Sequence, residues 1–131
     1  MGAGDVVDVQ QRMGRGLIMS VAFPRRGEVW LVDFPDDPKT RPALIVSTDS
    51  RNEFANSVLA VPVTTNLKLS PTHVLMPAGT GGLRLDSMAR CENVSYLHKL
   101  RIDRGQFKGI ISEALMREVE ECLLVALGLN G

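Results

Sequence analysis

Apolar residues along this chain come in short runs separated by polar or proline-marked gaps, a pattern that predicts strands far more than helices. Between Glu28 and Phe34 the residues Val29, Trp30, Leu31 and Val32 put apolar side chains on both faces, which predicts a buried strand. Pro35 to Thr40 holds two prolines and two adjacent acids and predicts a loop. That loop delivers Arg41, which Pro42 biases towards extended backbone, at the mouth of a second apolar run, Ala43-Leu44-Ile45-Val46. The run is too short for a helix and predicts a buried strand. Asp49 to Glu53 suits a short helical turn capped by Asp49 or Ser50.

Val58 to Val63 predicts a third strand. Pro62 has no N–H to donate, so it belongs at a strand end, an edge or a bulge, and it leaves Thr64, Thr65 and Asn66 exposed beyond it. Thr72 to Met76 predicts a short strand, Pro77 to Gly82 a glycine-rich turn, Asp86 to Leu97 a single extended stretch, and Gln106 to Ile111 a further short strand. The period then changes. Leu115, Met116, Val119, Cys122, Leu123 and Ala126 recur at steps of three and four, with Ser112 as a cap, Glu113 in the first turn and Gly128 as a stop. Five or six strands closed by one helix indicate a small barrel or sandwich rather than βαβ units.

Composition narrows this picture. The 131 residues make one domain. Lys+Arg and Asp+Glu balance at 15 each, so no global positive field announces a nucleic-acid binder, and an anion site has to be local. Cys91 and Cys122 fit no zinc spacing and read as two buried free thiols in a reducing cytoplasm. Residues 1–22 are glycine-rich, of mixed charge and without period. They are expected to be neither a secretion signal nor a membrane span, but a flexible extension ahead of a single domain from 23 to 131. Met13 and Met19 are each possible starts of the folded part.

Several residues invite chemistry, and each has a plainer alternative. Arg41 is either a solvated or ion-paired loop arginine or an anion ligand held at a strand mouth. Thr64 and Thr65 are either turn residues bonded to local backbone or exposed hydroxyl donors. Arg90 and Glu92 would alternate onto one strand face with Cys91 turned away, as a surface ion pair or as part of a site. His73 and His98 are lone histidines without a second ligand at useful spacing, His73 the one better placed to reach a substrate. Gly79-Thr80-Gly81-Gly82 reads as a plain turn, since a phosphate cradle joins a strand to a helix and an extended stretch follows here.

The order Arg26-Gly27-Glu28-Val29-Trp30, Arg41-Pro42-Ala43-Leu44-Ile45-Val46-Ser47, Val61-Pro62-Val63-Thr64, Leu83-Arg84-Leu85-Asp86-Ser87 and Glu92-Asn93 resembles the MazF/PemK family of toxin endoribonucleases of type II toxin–antitoxin systems, from about Arg25 to Leu129. The resemblance implies a mainly β fold, an SH3-like small barrel of the MazF/CcdB type with a C-terminal α-helix. It implies a cytoplasmic homodimer that cleaves single-stranded RNA without a metal or other cofactor. Its partner would be a cognate antitoxin whose acidic, disordered tail fills the RNA groove. Carried over residue by residue, it makes Arg41, Thr64, Glu92 and Arg90 the catalytic candidates. Arg26, Lys39, Thr65, Asn66, His73 and Asn93 are the RNA-binding candidates. In this reading Glu92 is either the base or the orienter of Arg90. The chain departs from the family's pattern in its short loop before Arg41, in Glu92-Asn93 where an acid-Gln pair is usual, and in Ser95 where many members have arginine. The competing reading is a gyrase-poisoning or otherwise non-catalytic toxin or adaptor on the same barrel.

Overall fold

The computed structural model describes residues 22–129, so the expected N-terminal extension lies outside the described residues except for Ala22. The strands are β1 (Glu28–Asp33), β2 (Thr40–Ile45), β3 (Ser57–Thr64), β4 (His73–Met76), β5 (Ser87–Arg90), β6 (Ser95–His98) and β7 (Gln106–Ile110). The helices are α1 (Asp49–Phe54), α2 (Lys99–Asp103) and α3 (Glu113–Leu127). The strands form one curled antiparallel sheet in the order β4-β5-β3-β2-β1-β7, with β6 also paired to β3. This is the expected mainly β barrel with a C-terminal helix.

Both faces of the central strands are buried. Val29, Leu44, Val61 and Val63 join a core that includes Leu115, Met116, Val119 and Cys122 of α3. Val32, Ala43, Ile45, Val58 and Ala60 join a second core with Leu97 and Ile102. The continuous apolar runs of β1 to β3 follow from this, since a strand covered on both sides has no polar face to alternate. Cys91 and Cys122 are free and buried in the first core.

The long strand β3 organises the sheet. On one edge it pairs with β2, Ala43 opposite Pro62 and Ile45 opposite Ala60. On the other it pairs with β6 over Ser57 to Ala60, then with β5 over Val63 and Thr64. Pro62 falls in the gap between those two neighbours. The Leu59 carbonyl accepts from Val46 on the β2 side. Pro62, of opposite parity, therefore turns its missing N–H towards the edge that has no partner at that point.

The same gap corrects the reading of Asp86 to Leu97 as one extended stretch. From Ala89, opposite Val63, to Ser95, opposite Ala60, the chain uses twice as many residues as β3 does. The surplus leaves the sheet as a 3-10 turn, Cys91–Asn93. Glu92 thus sits on a turn and not, as alternation suggested, on a strand face beside Arg90. Two further differences are local. Thr48, not Asp49 or Ser50, precedes α1 as its cap residue, without a side-chain bond, because Asp49 is engaged by the Arg26 backbone N–H at 2.7 Å. Helix α2 is only five residues long and carries no period for a sequence reading to find; His98 caps it, its Nδ1 accepting from Leu100 N–H at 3.1 Å.

Helix α3 begins and ends as its sequence predicts. Ser112 Oγ accepts from Leu115 N–H at 3.1 Å, and Gly128 closes the helix at φ 72°. Ser112→Ala should lower stability by about 1 kcal/mol, read as a lower urea midpoint at unchanged slope.

Candidate functional site

Strand register brings the candidate residues together. Continuing the pairing of Ala43 with Pro62 by two residues sets Arg41 opposite Thr64. On the other edge of β3, the pairing of Val63 with Ala89 sets Arg90 opposite Pro62 by a single step. Residues directly opposite in an antiparallel pair share a face, so Arg41, Thr64, Pro62 and Arg90 face the same way. They line a cleft of about 670 Å³. Asn66 and Asn93 complete that wall, and Phe34 to Pro38, the loop between β1 and β2, form the other.

Arg41 is held without being filled. Its Nε donates to Asp37 Oδ2 at 2.5 Å, and the two terminal amino groups make no hydrogen bond among the described residues. Asp37 also accepts from Lys39 N–H at 3.0 Å. These two bonds, from the Lys39 backbone and then the Arg41 side chain, hold its carboxyl below the usual aspartate range. Asp36 adopts φ 63°, a left-handed conformation that aspartate tolerates in turns. The side chains of Arg41 and Asp37 are 41% and 23% exposed, so solvent weakens their attraction and a phosphate can displace it. Thr64 Oγ1 accepts from Asn66 N–H at 3.1 Å, which leaves its own hydroxyl proton to donate into the cleft.

Arg90 faces the same cleft. Its Nε lies 3.8 Å from Glu92 Oε2, too far for a hydrogen bond, and this buried nitrogen has no hydrogen-bond partner. The Glu92 carboxylate is drawn elsewhere. Oε1 accepts from Thr72 Oγ1 at 3.0 Å, and Oε2 meets His73 Nε2 at 2.9 Å. Burial works to raise the Glu92 pKa, but bonds from His73, from its own backbone and from Thr72 outweigh it and hold the carboxyl below the usual glutamate range. A carboxylate with both oxygens engaged and lowered basicity is a poor proton acceptor. The geometry of Glu92 fits an orienting role better than that of base.

The remaining candidates lie apart. Arg26 donates to the Val46 carbonyl and to Glu120, tying the end of β2 to α3. Lys39 and Thr65 do not line the cleft. The His73 side chain, 4% exposed, does not line the cleft and lies beside Arg90 on the neighbouring strand. Asp36 and Asp37, read from sequence only as loop acids, do line it; their one signal was an acid placed four residues before Arg41. Among the described residues no group of three or more His, Cys, Asp or Glu is placed to hold a metal ion, and no helix is long and apolar enough to cross a membrane.

Residues 25–127 match the family described as the PemK-like, MazF-like toxin of type II toxin–antitoxin systems. The endoribonuclease MazF9 of Mycobacterium tuberculosis is 36% identical over 118 residues, covering 80% of this chain and 97% of the relative. The endoribonuclease MazF1 of Mycobacterium bovis is 33% identical over 106 residues, covering 81% and 94%. A solved endoribonuclease in complex with its cognate antitoxin, from a mycobacterial species, superposes with a TM-score of 0.72 at 31% identity, covering 82% of this chain and 98% of that one.

Proposed function

Since this chain belongs to the PemK-like, MazF-like toxins of type II toxin–antitoxin systems, we propose that it is the endoribonuclease of such a module, cutting single-stranded RNA at a short recognition sequence without a metal ion. The observation that carries this reading is the cleft, where Arg41, Thr64 and Arg90 face one space from three different strands.

The chemistry follows from what such a reaction needs. The 2′-OH beside the scissile bond attacks phosphorus and its proton passes to a base, the P–O5′ bond breaks, and the leaving 5′ oxygen takes a proton from water, giving a 2′,3′-cyclic phosphate and a 5′-OH end. The Arg41 fork, free on its terminal nitrogens, donates to the phosphoryl oxygens as negative charge grows there. Arg90 and the Thr64 hydroxyl add donors on the same face. Asp37 is committed to Arg41 and Lys39, which leaves Asp36 as the cleft carboxylate we assign to the 2′-OH proton. Asn66 and Asn93, with an amide each, suit reading the edges of unstacked bases.

The partner is a cognate antitoxin, as in the solved mycobacterial relative; an acidic, disordered tail would compete with RNA for Arg41 and Arg90. The working form is a cytoplasmic homodimer. Incubating the purified protein with a long single-stranded RNA in excess EDTA and mapping the ends tests the reading. The expected result is cleavage at a recurring motif, leaving 5′-OH and cyclic phosphate ends. Intact RNA, or cleavage lost on chelation, would overturn it.

A further inference from the structure

His73 lies directly across from Arg90 in the pairing of β4 with β5, and its buried ring is wedged between two acceptors. Nδ1 is 2.8 Å from the Lys68 carbonyl oxygen, and Nε2 is 2.9 Å from Glu92 Oε2. A carbonyl accepts only, so Nδ1 carries a proton. A carboxylate accepts only, so the Nε2 contact needs a second one. The pair is complete when the imidazole is protonated, and Glu92 then stands between two cations on neighbouring strands, bonded to one and 3.8 Å from the other.

We propose that His73 is a positioning residue for the cleft, and that its protonation decides whether the Glu92 carboxylate is held away from Arg90 or turns onto it. With the imidazolium present, Glu92 is neutralised by His73 and Thr72, and Arg90 keeps its full charge for an RNA phosphate. When the ring loses the Nε2 proton it keeps its bond to Lys68 and turns a lone pair towards Glu92. The carboxylate is repelled and completes the bond that the buried Arg90 Nε lacks. Arg90 is then partly neutralised, and the carboxylate competes with the phosphate.

Arg90 lies across from the ring on β5 and Glu92 bonds it from the 3-10 turn. From α3 the Cys122 thiol, its pKa pushed up by burial, donates to the Pro71 carbonyl two residues before His73. Burial works to raise the Glu92 carboxyl, but its bonds, that from His73 first, hold it below the usual glutamate range. The inference rests on the ribonuclease reading for its effect on RNA, though not for the movement of Glu92.

Two measurements test it. Binding of a 2′-O-methylated single-stranded RNA of mixed sequence, which cannot be cut, is followed between about pH 5 and pH 8, the span over which an imidazole changes charge. Affinity should fall as pH rises, by about two- to fivefold given how exposed Arg90 and Glu92 are. His73→Gln, a permanent donor, should keep the low-pH affinity throughout, and His73→Phe, which donates nothing, should show the high-pH affinity throughout. One pH profile common to all three proteins would overturn the proposal. In the wild type without RNA, the Arg90 Nε–H resonance should shift together with the His73 ring; a resonance indifferent to that titration would also overturn it. If the resonance follows the ring but no RNA binds, the coupling stands and the ribonuclease reading fails.

Discussion

Arg41→Ala should lower single-turnover RNA cleavage by about 10²- to 10³-fold, the loss expected when a donor aimed at transition-state charge is removed. The size follows from where Arg41 sits. One nitrogen is fixed by Asp37 and the other two are left for a phosphate, so the fork is oriented before RNA arrives. Arg41→Lys recovers little, because an ammonium cannot reproduce two parallel bonds and has no Nε for Asp37 to hold. Thr64→Val should cost about tenfold, as a hydroxyl bond to a charged phosphoryl oxygen contributes roughly 1.5 kcal/mol. Stability should hardly change in any of them, since the pair with Asp37 is too exposed to matter much. Cleavage by Arg41→Ala at the wild-type rate would remove Arg41 from the mechanism.

Gly82→Ala is the most damaging small change to the fold. The residue stands at φ 76°, and a Cβ there would come within 2.0 Å of the Lys108 carbonyl oxygen. That neighbour is backbone held in β7 and cannot swing aside as a side chain would. The left-handed conformation alone costs an alanine about 1 kcal/mol, and displacing β7 brings the total to roughly 3 kcal/mol or more, or about 10 °C in Tm. Gly79→Ala is the matched control. It has φ 92° with nothing within 4 Å of its Cβ, so it bears the conformational cost without the collision. Equal urea midpoints for the two variants would show that the approach of Gly82 to Lys108 does not constrain the fold.

Much of this was legible in the chain. The double-sided apolar runs gave β1 to β3, and Ser112 with Gly128 bounded α3 to the residue, because these signals are local. Pro62 announced a defect in the ladder, and the glycine-rich turn was recognised as structural, although its role in admitting the backbone of β7 was not. What no local signal carries is register. That Arg41 faces Thr64 depends on a pairing between strands separated by the whole of α1, and that Arg90 joins them depends on a third strand further on. The sequence reading placed Arg90 and Glu92 on one strand face. They are close for another reason, since a surplus of residues along β3 throws Glu92 onto a turn, where His73 and Thr72 engage it first. Only the spacing of Asp37, four residues before Arg41, hinted that Asp36 and Asp37 belong to the cleft wall, because a loop's path depends on what it packs against.

Strand β3 takes a different neighbour along each part of its length, and this bears on how the toxin is made. A growing chain that has formed only the β1–β2 hairpin has placed Arg41 at its strand mouth, but Thr64 arrives with β3 and Arg90 only with β5. Those pairings span long stretches of sequence and form late, once enough chain exists to close them. A chain that stops short of β5 therefore lacks Arg90 and has only part of the cleft. Completion of the cleft is set by the topology of β3, the strand that its two cationic edges share.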